Sequence, residues 1–216
     1  ALSLLCSAFY GNSHKKLKII GVTGTNGKTT TSFMIWKMLN TAGFKTGLMT
    51  TVAWGVSDES HLKKQIEHMT TVDPKTLNSR IKAIKDSGAE YLVLEVTSHA
   101  LAQFRTLGIH FDIAVMTNVT HEHLDYHKTF DNYRDTKKIL FDRLGKEAFA
   151  ITNMDDRNGL VMTQNCRGRV LTYSTHSMAD FRGKILEEGF DGMLLRVQSM
   201  LGAVNTEVFV PLVGRF

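Results

Sequence analysis

A glycine-rich run from Gly21 to Thr30 constrains the possible fold of this chain more than any other stretch. It follows the apolar, strand-like segment 17–20 and precedes a segment with helical spacing. A glycine-rich turn between a strand and a helix lets backbone N–H groups close on phosphate oxygens, and the helix N-terminus adds the positive end of its dipole. The sequence therefore predicts a site for nucleotide phosphates.

The run departs from the strict pattern G-x-x-x-x-G-K-[ST], because Val22 stands where the first glycine of that pattern would be. In the pattern the lysine, here Lys28, reaches the outer phosphates, and the hydroxyl of Thr29 or Thr30 can hold Mg²⁺. The less favoured alternative is an ordinary glycine-rich turn between strand and helix. The predicted nucleotide-binding residues are Gly24, Thr25, Asn26, Gly27, Lys28, Thr29 and Thr30.

Composition excludes some classes of function and bounds the size of the domain. The 216 residues are 43% hydrophobic, enough for a core, and the net charge of +5 suits an anionic nucleotide substrate. No basic run interleaved with aromatic residues is present, so we expect no nucleic acid partner. Cys6 and Cys166 lie far apart and fit a reducing cytoplasm. The apolar segment 1–10 is too short to span a bilayer, so we expect no membrane partner.

The order of apolar and amphipathic segments predicts an α/β fold with a mostly parallel sheet flanked by helices. We expect a lead-in segment at 1–16, a nucleotide-binding core at 17–178 and a small antiparallel β subdomain of the same domain at 179–216. Both ends of the sequence suggest a fragment of a longer protein.

The individual segments follow from periodicity, flanking glycines and prolines. The predicted helices are 29–42, with a broad apolar face formed by Phe33, Met34, Trp36, Met38 and Leu39; a helix starting at Asp73-Pro74; and 130–144. The predicted extended segments of the core are 17–22, 45–56, 91–96, 111–118 and 147–153. In the tail they are 184–186, 192–197 and 207–212.

Polar residues follow the apolar strands of the predicted sheet. In an open parallel sheet, ligands bind beyond the carboxyl ends of the strands. Glu95 ends the strand at 91–96, where an unpaired carboxylate is costly and Mg²⁺ would stabilise it. A salt bridge to a basic residue is the alternative. The histidines of 121–127 leave a zinc site open as a less favoured reading, with His123 as the strongest candidate ligand.

Four motifs together resemble the Mur ligases, which join an amino acid to the growing cell-wall peptide, and are most similar to the MurE type, the UDP-N-acetylmuramoyl-tripeptide synthetases. The motifs are 24–30, 69–74, 95–100 and 117–127. The resemblance covers the central ATP-binding domain of that family and implies ATP and Mg²⁺ as cofactors. Four positions depart from the family pattern: Ser13, Val72, Thr97 and Glu122.

The resemblance also implies roles for single residues. Lys28, Glu95, His123 and Lys137 would be catalytic, and the metal ligands would be Thr29, Glu95, His123 and Lys137. Lys137 matches a lysine that the family carbamylates, which would turn a cation into an anionic ligand; a solvated helix lysine, like its neighbour Lys138, is the alternative. The residues expected to contact the UDP-muramoyl peptide are Thr70, Thr71, Thr97, Gln103 and Arg105.

The implied reaction is an ATP-dependent ligation of an amino acid to UDP-N-acetylmuramoyl-dipeptide through an acyl phosphate. Its substrates would be the muramoyl peptide and the amino acid, either lysine or diaminopimelate. Its partners would be the N- and C-terminal ligase domains of a cytoplasmic, monomeric enzyme. The alternatives are another ligase of the superfamily, such as folylpolyglutamate or cyanophycin synthetase, or a fragment that binds nucleotide without catalysis. We expect the central domain alone to be inactive.

Overall fold

The computed structural model describes residues 1–66, 69–120, 122, 124–202 and 204–212. The helices are α1 (Leu2–Phe9), α2 (Lys28–Thr41), α3 (Pro74–Asp86), α4 (Ser98–Ala102), α5 (Leu124–His127), α6 (Phe130–Asp142) and α7 (Gly159–Thr163). The strands are β1 (Lys18–Thr23), β2 (Thr46–Met49), β3 (Ala53–Val56), β4 (Lys63–Lys64), β5 (Tyr91–Glu95), β6 (Ile113–Met116), β7 (Phe149–Asn153), β8 (Arg169–Ser174), β9 (Phe181–Gly189), β10 (Gly192–Ser199) and β11 (Asn205–Val210).

Across the described ranges the strands form one sheet in the order β11-β10-β9-β8-β7-β6-β1-β5-β2-β3-β4. Its middle, from β2 to β9, is parallel, while β3 and β4 at one edge and β10 and β11 at the other are antiparallel to their neighbours. The predicted mostly parallel sheet with antiparallel strands at its C-terminal end is confirmed. These last strands continue the same sheet, because β9 pairs with β8 in parallel.

The central strands are buried because helices cover both faces of the sheet. Leu92, Val93 and Leu94 of β5 are at most 1% exposed, so successive side chains of this strand lie in apolar surroundings on opposite faces. Helix α3 packs Leu77, Ile81 and Ile84 into a core cluster with residues of β1, β5 and β6. A run of apolar residues without alternation is what a parallel strand covered on both faces requires.

Helix α2 does not have the broad apolar face that its sequence predicts. Trp36 is buried and its indole N–H donates to the carbonyl of Thr46 at 3.0 Å, whereas Met34 and Met38 are 37% and 60% exposed. The apolar surface that meets the sheet is narrower than predicted, because the polar residue Ser32 occupies part of the buried face of the helix. The prediction was therefore wrong in its extent.

The predicted extended stretch 45–56 is two antiparallel strands, β2 and β3, joined by a tight turn. The hydroxyl of Thr50 accepts hydrogen bonds from the amides of Val52 and Ala53, and the amide of Thr50 donates to the carbonyl of Ala53. A threonine side chain that bonds nearby backbone in this way competes with continued strand pairing. This turn places residue 51 at the carboxyl end of β2.

Several short elements lay outside the sequence prediction. Helices α4, α5 and α7 have four or five residues each, too few to show a helical period, and β8 was not predicted. Strand β6 is shorter than the predicted 111–118. Among the described residues no helix combines the length and the apolar character needed to cross a bilayer.

The register of the sheet brings the carboxyl ends of four strands to one level. Val22 of β1 lies beside Glu95 of β5, Thr23 beside Met116 of β6, and Leu94 beside Met49 of β2. Strand β1 lies between β5 and β6, so later strands of the chain are added on both of its sides. The loop after β1 is therefore at the point where the strand order reverses, which is where open α/β sheets bind ligands.

Replacing Leu92 by alanine is expected to destabilise the chain by about 2–5 kcal/mol, because a fully buried leucine leaves a cavity between two packed layers. The matched control is Leu5→Ala on α1, where the leucine is 68% exposed and the change should stay within about 0.5 kcal/mol. Urea unfolding followed by circular dichroism measures both. Equal losses in the two variants would contradict the burial of β5.

Candidate functional site

The glycine-rich run forms a loop between β1 and α2, and two of its glycines have backbone conformations that require glycine. Gly27, at the N-cap of α2, has a φ of +77°, and Gly24 has a φ of +152°. A Cβ on Gly24 would lie 1.8 Å from the hydroxyl oxygen of Thr117. The first turn of α2, which begins at Lys28, leaves its amides without acceptors inside the helix. The loop thus has the backbone geometry of a phosphate-binding turn.

Asn118, which follows strand β6, fixes the middle of this loop. The amide of Thr25 donates to the carbonyl of Asn118 at 2.8 Å, and the amide of Asn26 donates to the Asn118 side chain at 3.0 Å. The hydroxyl of Thr25 lies 3.1 Å from that of Tyr133, which is buried on α6. Hydrogen bonds to Asn118 and Tyr133 therefore hold the loop in place.

The ammonium group of Lys28 lies inside the loop. It donates to the carbonyls of Gly24 and Thr25 at 3.0 and 2.7 Å. Burial lowers the pKa of Lys28, while the nearby carboxylates of Glu95 and Glu122 act in the opposite direction. Among the described residues the hydrogen-bond acceptors of Lys28 are these two uncharged carbonyls, and a desolvated cation in such surroundings is ready to interact with an anion.

Glu95 is 1% exposed, and one of its oxygens, Oε2, accepts three hydrogen bonds. The donors are the Thr29 hydroxyl at 3.0 Å, the Thr51 amide at 3.0 Å and the Thr51 hydroxyl at 3.2 Å. The part of the chain that the structure describes gives Glu95 no ion-pair partner, so the predicted alternative of a salt bridge was wrong there. The carboxylate of Glu95 and the hydroxyl of Thr29 are oxygen ligands of the kind that Mg²⁺ prefers, and in this respect they fit that ion.

Lys137 is a buried residue, not the solvated helix lysine of the alternative prediction. It is 2% exposed, its ammonium group donates to the carbonyl of Gly24 at 2.7 Å, and it lies 4.5 Å from the centre of the Tyr133 ring. Burial, with a further contribution from Lys28, lowers the pKa of Lys137 to about 7. Lys138, predicted to be solvated, is 7% exposed and pairs with Asp142, so that prediction was wrong.

An open cavity of about 360 Å³ lies over the carboxyl ends of the strands. Besides the phosphate loop from Thr25 to Thr30, it is lined by Thr51, Thr70, Glu95, Thr97 and Glu122. Thr51 and Glu122 are not among the site residues predicted from the sequence. The sequence gives no sign that Thr51 ends a strand, because 45–56 reads as one continuous extended segment.

The residues predicted to contact the muramoyl peptide are grouped beside the cavity, but only two of them line it. Thr70 and Thr97 do so. Thr71 is buried, and its hydroxyl donates to the carbonyl of Glu95 at 3.0 Å. Arg105 donates to the carbonyl of Thr71 at 2.7 Å and to the side chain of Gln103 at 3.0 Å.

The histidine-rich stretch is described only in part. His121 and His123 lie outside the described residues, so the predicted roles of His123 stay predictions. His127 is buried, and its Nε2 lies 3.0 Å from the hydroxyl oxygen of Ser98. Within the described residues no three His, Cys, Asp or Glu side chains are grouped so that they could hold a metal, so nothing there supports the zinc reading.

Comparison with known proteins agrees with this geometry. A family profile described as the Mur ligase middle domain matches residues 22–216. The UDP-N-acetylmuramoyl-L-alanyl-D-glutamate–2,6-diaminopimelate ligase of Phocaeicola vulgatus is 48% identical over 212 residues, covering 98% of this chain and 42% of that protein. The ligase of the same name from Bacillus velezensis is 38% identical, covering 100% of this chain and 44% of that protein. This chain thus spans less than half the length of these curated relatives.

Solved structures show the same fold. The structure of a UDP-N-acetylmuramoyl-L-alanyl-D-glutamate–2,6-diaminopimelate ligase is 30% identical with a TM-score of 0.80, covering 92% of this chain and 40% of that one. Mycobacterium tuberculosis folylpolyglutamate synthase complexed with ADP and AMPPCP is 18% identical with a TM-score of 0.75, covering 98% of this chain and 54% of that one; this likeness shows the fold alone. The family match over residues 22–216 establishes that this chain belongs to the Mur ligase family, through its middle domain.

Proposed function

We propose that this chain is the ATP-binding central domain of an amide-forming ligase of peptidoglycan precursor synthesis. The ligase would add 2,6-diaminopimelate to UDP-N-acetylmuramoyl-L-alanyl-D-glutamate. The observation that carries the proposal is the contact between Thr29 and Glu95 under the phosphate loop. The choice of amino acid follows from the names of the relatives. The likeness to folylpolyglutamate synthase, at 18% identity, gives no comparable support for a folate substrate.

In the proposed reaction the carboxylate of the muramoyl dipeptide attacks the γ-phosphate of ATP to give an acyl phosphate and ADP. The amine of the amino acid then displaces phosphate and leaves an amide. Two anions must meet in the first step, so positioning and charge neutralisation are what this domain has to supply. Lys28 would approach the outer phosphates, and the amides at the start of α2 would bind them.

Mg²⁺ would be held by the Glu95 carboxylate and the Thr29 hydroxyl, with His123 as a further proposed ligand. When bound, the ion would offset the repulsion between the two anionic substrates. Glu95 and Thr29 lie in contact, and the Thr51 amide donates to the same carboxylate oxygen. Thr70, Thr97, Gln103 and Arg105 would contact the muramoyl peptide beside this point, with Thr71 supporting Arg105 through its carbonyl.

We further propose that Lys137 is carbamylated and serves as a second metal-binding group. Carbamate formation needs an uncharged amine, which attacks CO₂ and releases a proton. The pKa of about 7 makes that form abundant at neutral pH. The enzyme would act in the cytoplasm as a monomer, with N- and C-terminal ligase domains completing the site.

Lys28→Ala is expected to lower acceptor-dependent phosphate release by the intact ligase about 100-fold or more, because a preorganised cation at the phosphates is lost. The matched control is Lys37→Ala on the same helix, where the lysine is exposed and pairs with Glu59. A coupled phosphate assay with ATP, the muramoyl dipeptide and diaminopimelate measures both. Unchanged turnover in Lys28→Ala would count against the assignment of the loop.

Substrate choice separates the proposal from its rivals. Calorimetry with Mg-ATP is expected to show binding, and phosphate release is expected only when the muramoyl dipeptide and diaminopimelate are both present. Release with folate and glutamate would favour a folylpolyglutamate synthetase. Binding of ATP by the intact protein without release under any of these conditions would indicate a non-catalytic module.

Carbamylation of Lys137 is expected to increase as the pH rises. Above the pKa of about 7 the amine is free to react, and below it the ammonium form is unreactive. ¹³C NMR after addition of ¹³C-bicarbonate is therefore expected to show a carbamate signal at pH 8.5 that is lost at pH 6. Lys137→Met should abolish the signal, whereas Lys138→Met should retain it. A signal that persists in Lys137→Met would disprove the assignment.

A further inference from the structure

Thr51 contacts two of the other residues that line the cavity, Glu95 and Thr70. It follows the carboxyl end of β2, in the turn to β3, and lines the cavity together with Thr29 and Thr70. Its amide and its hydroxyl both contact Oε2 of Glu95, at 3.0 and 3.2 Å. The same hydroxyl lies 2.9 Å from that of Thr70. Thr51 thus contacts the proposed cation ligand and a proposed contact of the muramoyl peptide.

The chemistry of a hydroxyl gives these contacts a direction. A hydroxyl has one proton to donate and two lone pairs to accept with, and an ionised carboxylate can only accept. The Thr51 hydroxyl is the donor in both contacts, to Thr70 at 2.9 Å and to Glu95 at 3.2 Å, so its single proton serves one acceptor at a time. Thr70 and Glu95 therefore compete for the proton of Thr51. The hydroxyl of Thr29, in the first turn of α2, donates to the same oxygen of the Glu95 carboxylate.

The role of the Thr51 hydroxyl can be tested separately from that of the Thr51 backbone, because both contact Glu95. The Thr51 amide continues to donate to Glu95 whatever side chain stands at this position. Substituting valine removes the hydroxyl and keeps the branched shape, so the carboxylate would lose one donor and Thr70 would lose its partner.

We infer that Thr51 is a positioning residue that couples the nucleotide–magnesium end of the site to the muramoyl-peptide end. Its hydroxyl donates either to the Glu95 carboxylate, which also contacts Thr29, or to Thr70, so the position of Thr70 governs how far Glu95 receives this donor. This inference rests on the proposed function, because it assigns Glu95 to the cation and Thr70 to the acceptor substrate. Thr51 itself need not touch either substrate.

The test is calorimetric titration of the intact ligase with Mg·AMP-PNP, a nucleotide that is not turned over. Thr51→Val is expected to raise the Kd about 10-fold, as loss of a hydrogen bond to a charged group implies. Thr51→Ser, which restores the hydroxyl, is expected to stay within about 2-fold of the wild type. Thr206→Val makes the same chemical change on exposed β11, far along the sheet, and should leave the Kd unchanged.

Coupling is tested by a double-mutant cycle with Thr70→Val. Thr70→Val is expected to lower the Kd of Mg·AMP-PNP about 3-fold in the wild-type background, because the competing acceptor is lost and the Thr51 hydroxyl then donates to Glu95 alone. In the Thr51→Val background it should have no further effect. Melting temperatures of all variants show whether a loss of binding reflects a loss of folding.

The outcomes separate this inference from the function on which it rests. A wild-type protein that binds Mg·AMP-PNP, together with Thr51→Val binding equally well, would overturn the role of Thr51 alone. Additive effects of Thr51→Val and Thr70→Val would overturn the coupling. A wild-type ligase that shows no magnesium-dependent binding of the nucleotide would overturn the proposed function as well.

Discussion

The buried carboxylate of Glu95 is the interaction on which the rest of the site depends. A carboxylate that is 1% exposed is costly unless other groups stabilise its charge, and here three donors from two different elements point at one of its oxygens. One donor belongs to the first turn of α2 and the other two to the turn after β2. These contacts define the distance between the phosphate loop and the edge of the sheet where the second substrate is proposed to bind.

A second constraint is the crowding of positive charge under the loop. Lys28 and Lys137 both donate to the carbonyl of Gly24, so two ammonium groups share one acceptor. Burial lowers the pKa of each, and for Lys137 the charge of Lys28 adds to the effect. Such a pair favours either an incoming polyanion or the conversion of one lysine to an uncharged or anionic form. Both consequences are consistent with a site that binds a triphosphate.

Much of this arrangement could be predicted from the sequence, since the glycine-rich run and Glu95 are local signals. Gly24 and Gly27 stand where the backbone requires glycine, so the glycine pattern in the sequence predicted the loop. Glu95 was predicted as a site residue because it is a charged residue at the end of an apolar strand. Thr51 could not be found in the same way. Its role depends on a turn that Thr50 closes with its own side chain, and on β2 lying next to β5 in the sheet. The burial of Lys138 also escaped prediction, because a lysine held by Asp142 one helical turn away looks like any surface lysine in sequence.

The most direct measurement is the magnesium dependence of nucleotide affinity in the wild type and in Glu95→Gln, which keeps the shape of the side chain and removes its charge. If Glu95 holds the cation, addition of Mg²⁺ tightens AMP-PNP binding to the wild type and has little effect on the variant. If Glu95→Gln retains the full response to Mg²⁺, the carboxylate is a structural group, and the cation lies elsewhere in the site.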